Sequence, residues 1–277
     1  METYKTIKQI QQYINKAKAQ GKTIGFVPTM GALHNGHLSL VQAARKDNDI
    51  VIVSIFVNPT QFNNPDDLKK YPRTIEIDSA MLEKENCDAV FYPSVEEMYP
   101  EEVLKQYDFG ALERVLEGEF RPGHFNGVAV VVKKLFDIVP AHKAYFGKKD
   151  FQQLAIIRKL VEIEKIPIEI IACNTMRESD GLAMSSRNVR LTRAERSIAP
   201  RIYKTLQMIK QSREEKKPAE LEKIALQALG NEFKAEYFKI ADGNSLQAIK
   251  QWSDTNYPVA LIAAFLGDVR LIDNLEL

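Results

Sequence analysis

The sequence predicts an α/β protein: a Rossmann-like parallel sheet domain followed by a smaller α+β C-terminal domain. Two observations carry that prediction. Ile50 to Val57 is a continuous apolar run, IVIVSIFV, as strands show when a parallel sheet is covered on both faces. Strand-like runs then alternate with helical spacings as far as Cys173, at lengths that suit βαβ units. The texture changes at about residue 176, which divides the chain into an expected first domain, 1–176, and an expected second, 177–277.

In order, residues 4–20 have amphipathic helical spacing (Ile7, Ile10, Tyr13, Ile14, Ala17), closed by Gly21. Thr23 to Val27 is a short strand that stops at Pro28, and Leu38, Leu40, Val41 and Ala44 open a helix to about Arg45. With Ile50 to Val57 this makes a βαβ unit, whose two strands end on one edge of the sheet and place Asn58 to Phe62 beside the intervening loop. Asn63 to Thr74 reads as an irregular, candidate mobile flap. Ile75 to Glu85 looks helical, Asp88 to Tyr92 a strand, Phe109 to Leu116 helical, and Val128 to Val139 a strongly apolar helix or buried strand, its length favouring helix. Lys143 to Gly147 and Ile168 to Cys173 are strands around a helix capped by Asp150. Beyond, Thr192 to Ser212 reads as one long helix and Ala219 to Phe233 as another, with strands at Tyr237 to Ala241 and Val259 to Phe265.

Composition narrows the function classes. A net charge of +1 leaves no basic excess for nucleic acid. Cys87 and Cys173 have neither CxxC nor zinc spacing, which suits a reduced compartment. The N-terminal stretch lacks the apolar centre of a signal peptide, and no run approaches transmembrane length, so the expectation is a cytoplasmic protein without membrane partners.

Three loops carry chemistry. The first is Phe26 to His37, PTMGALHNGH at its heart, a strand, tight loop and helix start where backbone N–H groups and the helix dipole can face an anion. Its His34 and His37 suit phosphate contact; a metal role or plain packing are the alternatives, and no third His or Cys lies nearby. Neither GxGxxG nor GxxxxGK[ST] is present, so a nucleotide here uses a different loop. The second is Tyr145 to Gln153, again a strand end joined to a helix start, whose lysines can neutralise phosphate or simply be solvated. The third is Arg177 to Asn188, with hydroxyls, arginine and amides that can close over a triphosphate or form a serine-rich hinge. Asp66 and Asp67 read as solvated acids, His124 as flap or packing, and His142 and Trp252 as structural.

HNGH resembles the HIGH motif of the nucleotidyltransferase superfamily, and MSSR (Met184 to Arg187) its KMSKS-type loop. PTMGALHNGH, FVNPTQF, EGEFRPGHFNGV, YFGKKDFQQ and SDGLAMSSRN, in this order over residues 23–191, are together similar to the pantothenate synthetase family. The resemblance implies ATP-dependent condensation of (R)-pantoate with β-alanine through a pantoyl adenylate, releasing AMP and pyrophosphate, within pantothenate and coenzyme A biosynthesis. It implies Mg²⁺ carried on the ATP phosphates without named protein ligands, and a homodimer. By the same resemblance Met30, Gly31, Ala32, Leu33, His34, Asn35, Gly36 and His37 would line the ATP site, with His37 the hydrogen-bond or proton donor and His34 beside it. Gly147, Lys148, Lys149 and Asp150 would contact ATP, Lys149 stabilising developing charge, and Met176 would lie on the adenine side. Met184, Ser185, Ser186 and Arg187 would close over the phosphates. Gln61 and Gln153 would hold pantoate, with Asn58 nearby and Gln61 bordering β-alanine. Two other classes stay open: a nucleotidyltransferase that keeps the nucleotide on its product, and a non-catalytic nucleotide-binding module.

Overall fold

The computed structural model describes residues 1–277 except Asn64 and Val103. In chain order the first elements are β1 (Glu2–Tyr4), α1 (Ile7–Ala19), β2 (Ile24–Thr29), α2 (Asn35–Asp47), β3 (Ile50–Ile55), α3 (Pro65–Lys70), α4 (Ile75–Lys84) and β4 (Ala89–Phe91). Then come α5 (Val95–Met98), α6 (Glu117–Phe120), α7 (His124–Ile138), β5 (Lys143–Gly147), α8 (Phe151–Ile163) and β6 (Glu169–Cys173). The remainder is α9 (Arg193–Ile198), α10 (Arg201–Gln211), α11 (Pro218–Leu229), β7 (Phe233–Asp242), β8 (Pro258–Leu266) and β9 (Val269–Glu276). Two compact units result. The first comprises Met1–Phe109, Arg121–Lys148 and Ile156–Asn174; the second Gly110–Phe120, Lys149–Ala155 and Thr175–Leu277.

The first unit is a six-stranded sheet in the order β1-β4-β3-β2-β5-β6, with parallel pairing throughout. All six residues of β3 are buried, as the unbroken apolar run predicts. Val27, Leu38, Val41, Val51, Val53 and Leu82 form one packed cluster between the sheet and its helices. Strand order runs outward from β2 in one direction through β3 and β4, and in the other through β5 and β6. The direction in which strands are added therefore reverses between β2 and β5, and in open α/β sheets ligands bind outside the strand carboxyl ends at such a switch point. The loop after β2 and the end of β5 both lie there.

The second unit is a three-stranded antiparallel sheet, β7-β8-β9. One of its apolar clusters joins Ile202, Leu206 and Ile209 of α10 and Leu221 and Ala225 of α11 to Ile262 and Leu271. Another joins Leu116 and Phe151 to Tyr237, Leu261 and Ala263. The α/β class with a smaller α+β part is thus what the chain forms.

Several elements differ from the sequence reading. The N-terminal helix begins at Ile7, capped by Thr6 and Gln9, because Glu2–Tyr4 is drawn into the sheet beside β4. Pro65–Lys70, read as irregular, is a short helix, while Asn64 of the expected flap lies outside the described residues. The long helix expected from Thr192 is two, separated at Ala199-Pro200, since a proline lacks the N–H of a helix interior and crowds the preceding turn. The helix expected to reach Phe233 stops at Leu229 before Gly230, whose φ of 78° is left-handed. Only Gly110–Glu113, a 3-10 turn, is helical in the first part of 109–116. No helix among the described residues is long and apolar enough to cross a membrane.

The cysteines fit this packing. Cys87 is 4% exposed, and burial pushes its thiol up to about 12. Cys173 is half-buried, with its thiol raised by burial as well. Thiolate is the reactive form. Ellman's reagent on the native protein is therefore expected to label Cys173 slowly and Cys87 only after denaturant is added. Equal native rates at both positions would show that the segment leading into β4 opens readily.

Candidate active site

The loop after β2 is shaped by a buried acid rather than by its own sequence. Gly31 and Ala32 both take left-handed backbone, φ 81° and 51°, a conformation that costs a residue with a Cβ. Asp78, 1% exposed on α4, accepts the Ala32 N–H at 3.0 Å on Oδ2 and the Leu33 N–H at 2.8 Å on Oδ1. The Gly31 N–H donates to Thr29 Oγ1 at 3.2 Å, and that hydroxyl donates to the Ser54 carbonyl of β3 at 2.7 Å. The sequence suggested amides facing an anion; those of Gly31, Ala32 and Leu33 instead face inward to protein acceptors. Contacts from these three residues to a ligand must then use other atoms.

The next residues cap α2 with imidazoles. His34 is the N-cap of α2, and its Nδ1 accepts the Gly36 N–H at 3.1 Å. His37 Nδ1 accepts the His34 N–H at 3.3 Å, so each ring closes half of a capping box. The rings lie 4.1 Å apart between centroids. A ring nitrogen that accepts carries no proton, so in neutral imidazole the proton of each ring sits on Nε2. The cap fixes the tautomer, and both rings become Nε2–H donors at the positive end of a helix. Asn35 is exposed, and Met30 and Gly36 are half-buried around them.

The β3 flank is equally determined. Thr29 pairs with Ile55 in register, so both strands end at one level and the Pro59–Gln61 turn lies beside the β2 loop. Gln61 Nε2 reaches Met30 Sδ at 2.9 Å. Asn58, 1% exposed, donates to Gln61 Oε1 at 3.3 Å and to the Gly127 carbonyl at 3.2 Å. Tyr99 donates its hydroxyl to Asn58 Oδ1 at 2.9 Å, and burial pushes that phenol up to about 12, which keeps it a donor. His124 donates from Nδ1 to the Gln61 carbonyl at 2.8 Å. Gly127 on α7 packs its backbone on the turn: a Cβ there would stand 2.4 Å from the Thr60 carbonyl oxygen. His124 is therefore a packed residue that holds Gln61, and Tyr99 is a member that no local sequence signal marks.

On the other side of β2, Gly147 ends β5 with open space around its Cα, and half-buried Lys148 follows. A cavity of about 180 Å³ is bordered by Met30, Gly31, Phe56, Arg73, Asp78 and Tyr92. Ligand pockets run to about 300–1,000 Å³, so this one has room for a fragment rather than a nucleotide. A larger cavity of about 540 Å³ lies by Tyr4, Tyr13, Lys22 and Ile50, at the amino ends of the strands and away from the switch point.

The second unit carries the remaining predicted residues. Lys149 Nζ lies 3.8 Å from Asp150 Oδ2 within the 3-10 turn that leads into α8. Gln153 is half-buried; its neighbour Gln152 is 2% exposed and committed to the Leu112 and Val115 carbonyls and the Glu117 N–H. Met176 and Met184 are brought together by a hairpin in which the Met184 N–H donates to the Met176 carbonyl at 3.0 Å and Arg177 bridges Ala183. Arg177 is consumed by structure: it forks onto Asp273 at 2.6 and 3.0 Å and lies 3.6 Å over the Tyr203 ring. Burial raises the Asp273 carboxyl, and Arg177 opposes that shift. Ser185 Oγ accepts the Arg187 N–H at 3.3 Å, which folds Met184 to Arg187 into a turn with Ser186 at its bend. Among the described residues no group of three or more His, Cys, Asp or Glu could hold a metal ion. Each unit by itself offers groups that suit anionic oxygen: imidazole, amide and ammonium in the first; ammonium, guanidinium and hydroxyl in the second.

Removing the Asp78 carboxylate tests the loop directly. A hydrogen bond to a charged group is worth about 1.5–3 kcal/mol. Asp78→Ala, which strands two half-buried backbone donors, is expected to cost about 3 kcal/mol in urea unfolding, and Asp78→Asn about half of that. A loss below about 1 kcal/mol for the alanine variant would mean that the loop holds its shape unaided.

Known proteins resemble the chain over its whole length. The model of the Pantoate-beta-alanine ligase family matches residues 2–276. A pantothenate synthetase of Porphyromonas gingivalis is 50% identical over 278 residues, 100% of this chain and 99% of the relative. One from Bacteroides fragilis is 49% identical with the same coverage. The crystal structure of pantothenate synthetase from Thermus thermophilus matches with a TM-score of 0.94 at 40% identity, over 100% of this chain and 99% of that one. Pantoate-beta-alanine ligase from Francisella tularensis, complexed with beta-gamma ATP and beta-alanine, matches with a TM-score of 0.83 at 38% identity, over 100% and 97%. With a family model over residues 2–276 and relatives about half identical along the whole chain, the chain belongs to the pantoate-beta-alanine ligase family.

Proposed function

We propose that the protein joins (R)-pantoate to β-alanine in two steps at the expense of ATP. A pantoate carboxylate oxygen attacks the α-phosphorus, forming pantoyl adenylate and expelling pyrophosphate. The β-alanine amine then attacks the acyl carbon, loses a proton and displaces AMP. The observation that carries this reading is the pair of imidazoles held through their Nδ1 atoms in the α2 cap at the sheet's switch point, an arrangement that in neutral rings leaves the proton on Nε2. An in-line attack at phosphorus needs positioning and charge stabilisation rather than a protein nucleophile. Membership of the family, and the ATP and β-alanine complex of the Francisella tularensis relative, support the choice of substrates.

In this reading His37 donates to a phosphate oxygen that gains charge, with His34 beside it. Met30 to Gly36, Gly147, Lys148 and Asp150 line the nucleotide, and Lys149 neutralises the developing charge. Ser185, Ser186 and Arg187 contact the phosphates, while Met176 and Met184 offer apolar surface to the base. Asn58 turns the Gln61 amide so that its Nε2–H points away from Asn58, a donor for pantoate oxygen, and Gln153 is its counterpart in the second unit. ATP enters as its magnesium complex, and the protein grips the phosphates rather than the metal.

One assay tests the reading: pyrophosphate is followed with ATP and pantoate, and AMP after β-alanine is added. AMP that requires both substrates supports the ligase; a stable nucleotidylated product would support a nucleotidyltransferase instead. Loss of one preorganised donor costs about 10²–10³ in rate. His37→Ala is accordingly expected to fold normally by circular dichroism and to lose about that factor in pantoate-dependent pyrophosphate release. Near-normal release would overturn the assignment of His37.

A further inference from the structure

β9 carries two adjacent polar residues where its alternation calls for apolar ones. Asp273 is 4% exposed and Asn274 7% exposed. Neighbouring residues of a strand point to opposite faces, and each of these meets a different segment of the second unit. On the face that packs against α10 and α11, Asp273 takes the Arg177 fork that closes the Met176–Met184 hairpin. On the face that packs against Phe151, the Asn274 side-chain amide donates to the Lys149 carbonyl at 2.9 Å. Asn274 is itself held, because its N–H donates to Asp273 Oδ1 at 2.8 Å and its carbonyl lies 3.4 Å from Arg177 Nη2.

We propose that Asn274 is a positioning residue for Lys149: by fixing the Lys149 carbonyl, it sets the direction in which the lysine side chain leaves the turn before α8. The proposal rests on the reading of Lys149 as a phosphate-charge stabiliser. A lysine stem is flexible, and both its base and its head must be placed for the ammonium to meet charge that exists only in the transition state. The head has a loose neighbour in Asp150 at 3.8 Å. The base is fixed from a buried strand 125 residues further along the chain. Misplacement of a catalytic group by about 1 Å can cost about 10² in rate.

The test is a double-mutant cycle on the first half-reaction, pantoate-dependent pyrophosphate release at saturating ATP, with Asn274→Ala and Lys149→Ala singly and together. Asn274→Ala is expected to slow this step about 10- to 100-fold, with KM for β-alanine unchanged. The double variant is expected to be no slower than Lys149→Ala alone, since a residue acting through Lys149 has nothing left to act on. Multiplied effects, or wild-type rate in Asn274→Ala, would overturn the proposal while leaving the proposed reaction intact. Absence of pantoate-dependent pyrophosphate from the wild type would overturn both. If Asn274→Ala does not fold, Asn274→Leu, which fills the volume without a donor, replaces it in the cycle; failure of both to fold would make the contact structural and overturn the assignment.

Discussion

The Asp78 carboxylate is the constraint on which the β2 loop depends. It is buried, it receives two consecutive backbone N–H groups from that loop, and it sits on a helix that begins some forty residues later. A buried carboxylate needs its acceptor capacity filled, and here two loop amides and the Thr74 hydroxyl fill it. The exchange fixes two left-handed residues in succession and turns the loop's amides toward the protein interior. What then points away from the backbone is the imidazole pair at the start of α2, whose tautomers are set by the same use of backbone donors.

The same device recurs at other candidate residues: the group offered to a ligand is held from behind by a buried polar group. Gln61 is oriented by Asn58, which is oriented by Tyr99, and its backbone is held by His124. The Met176–Met184 hairpin is closed by Arg177, which is held by Asp273. Such networks stand in a low dielectric where a half-satisfied member is costly, so they define one geometry rather than a family of near alternatives. In the first unit parallel register supplies the frame: with Thr29 opposite Ile55, the β2 and β3 loops leave the sheet at the same height.

What the sequence revealed was local. The run at Ile50–Ile55, the strand-to-helix step at Asn35 and the joined segments at Gly147–Phe151 each announce themselves within a short stretch, and the structure contains them all. What it hid depends on distance along the chain or on broken patterns. Asp78 and Tyr99 reach the candidate site residues they hold from 41 to 46 positions away, and nothing in their own surroundings marks them. β9 did not read as a strand because Asp273 and Asn274 occupy buried positions, and β1 because three residues are too few to show alternation. The expected amide cradle misread the loop for a related reason: glycine and a helix start signal close backbone approach, but not whether an acceptor from elsewhere already occupies it.

Gly127 has a consequence of another kind. Its missing side chain lets α7 rest main chain against main chain on the Thr60 carbonyl, and its own carbonyl receives Asn58. The pose of the Gln61 amide is thus written partly in an absence of atoms, at a position no inventory of ligand contacts would include. A variant at 127 would shift Gln61 without altering any polar group around it, and a designer copying only the visible polar groups onto another scaffold would leave out the void that lets them converge.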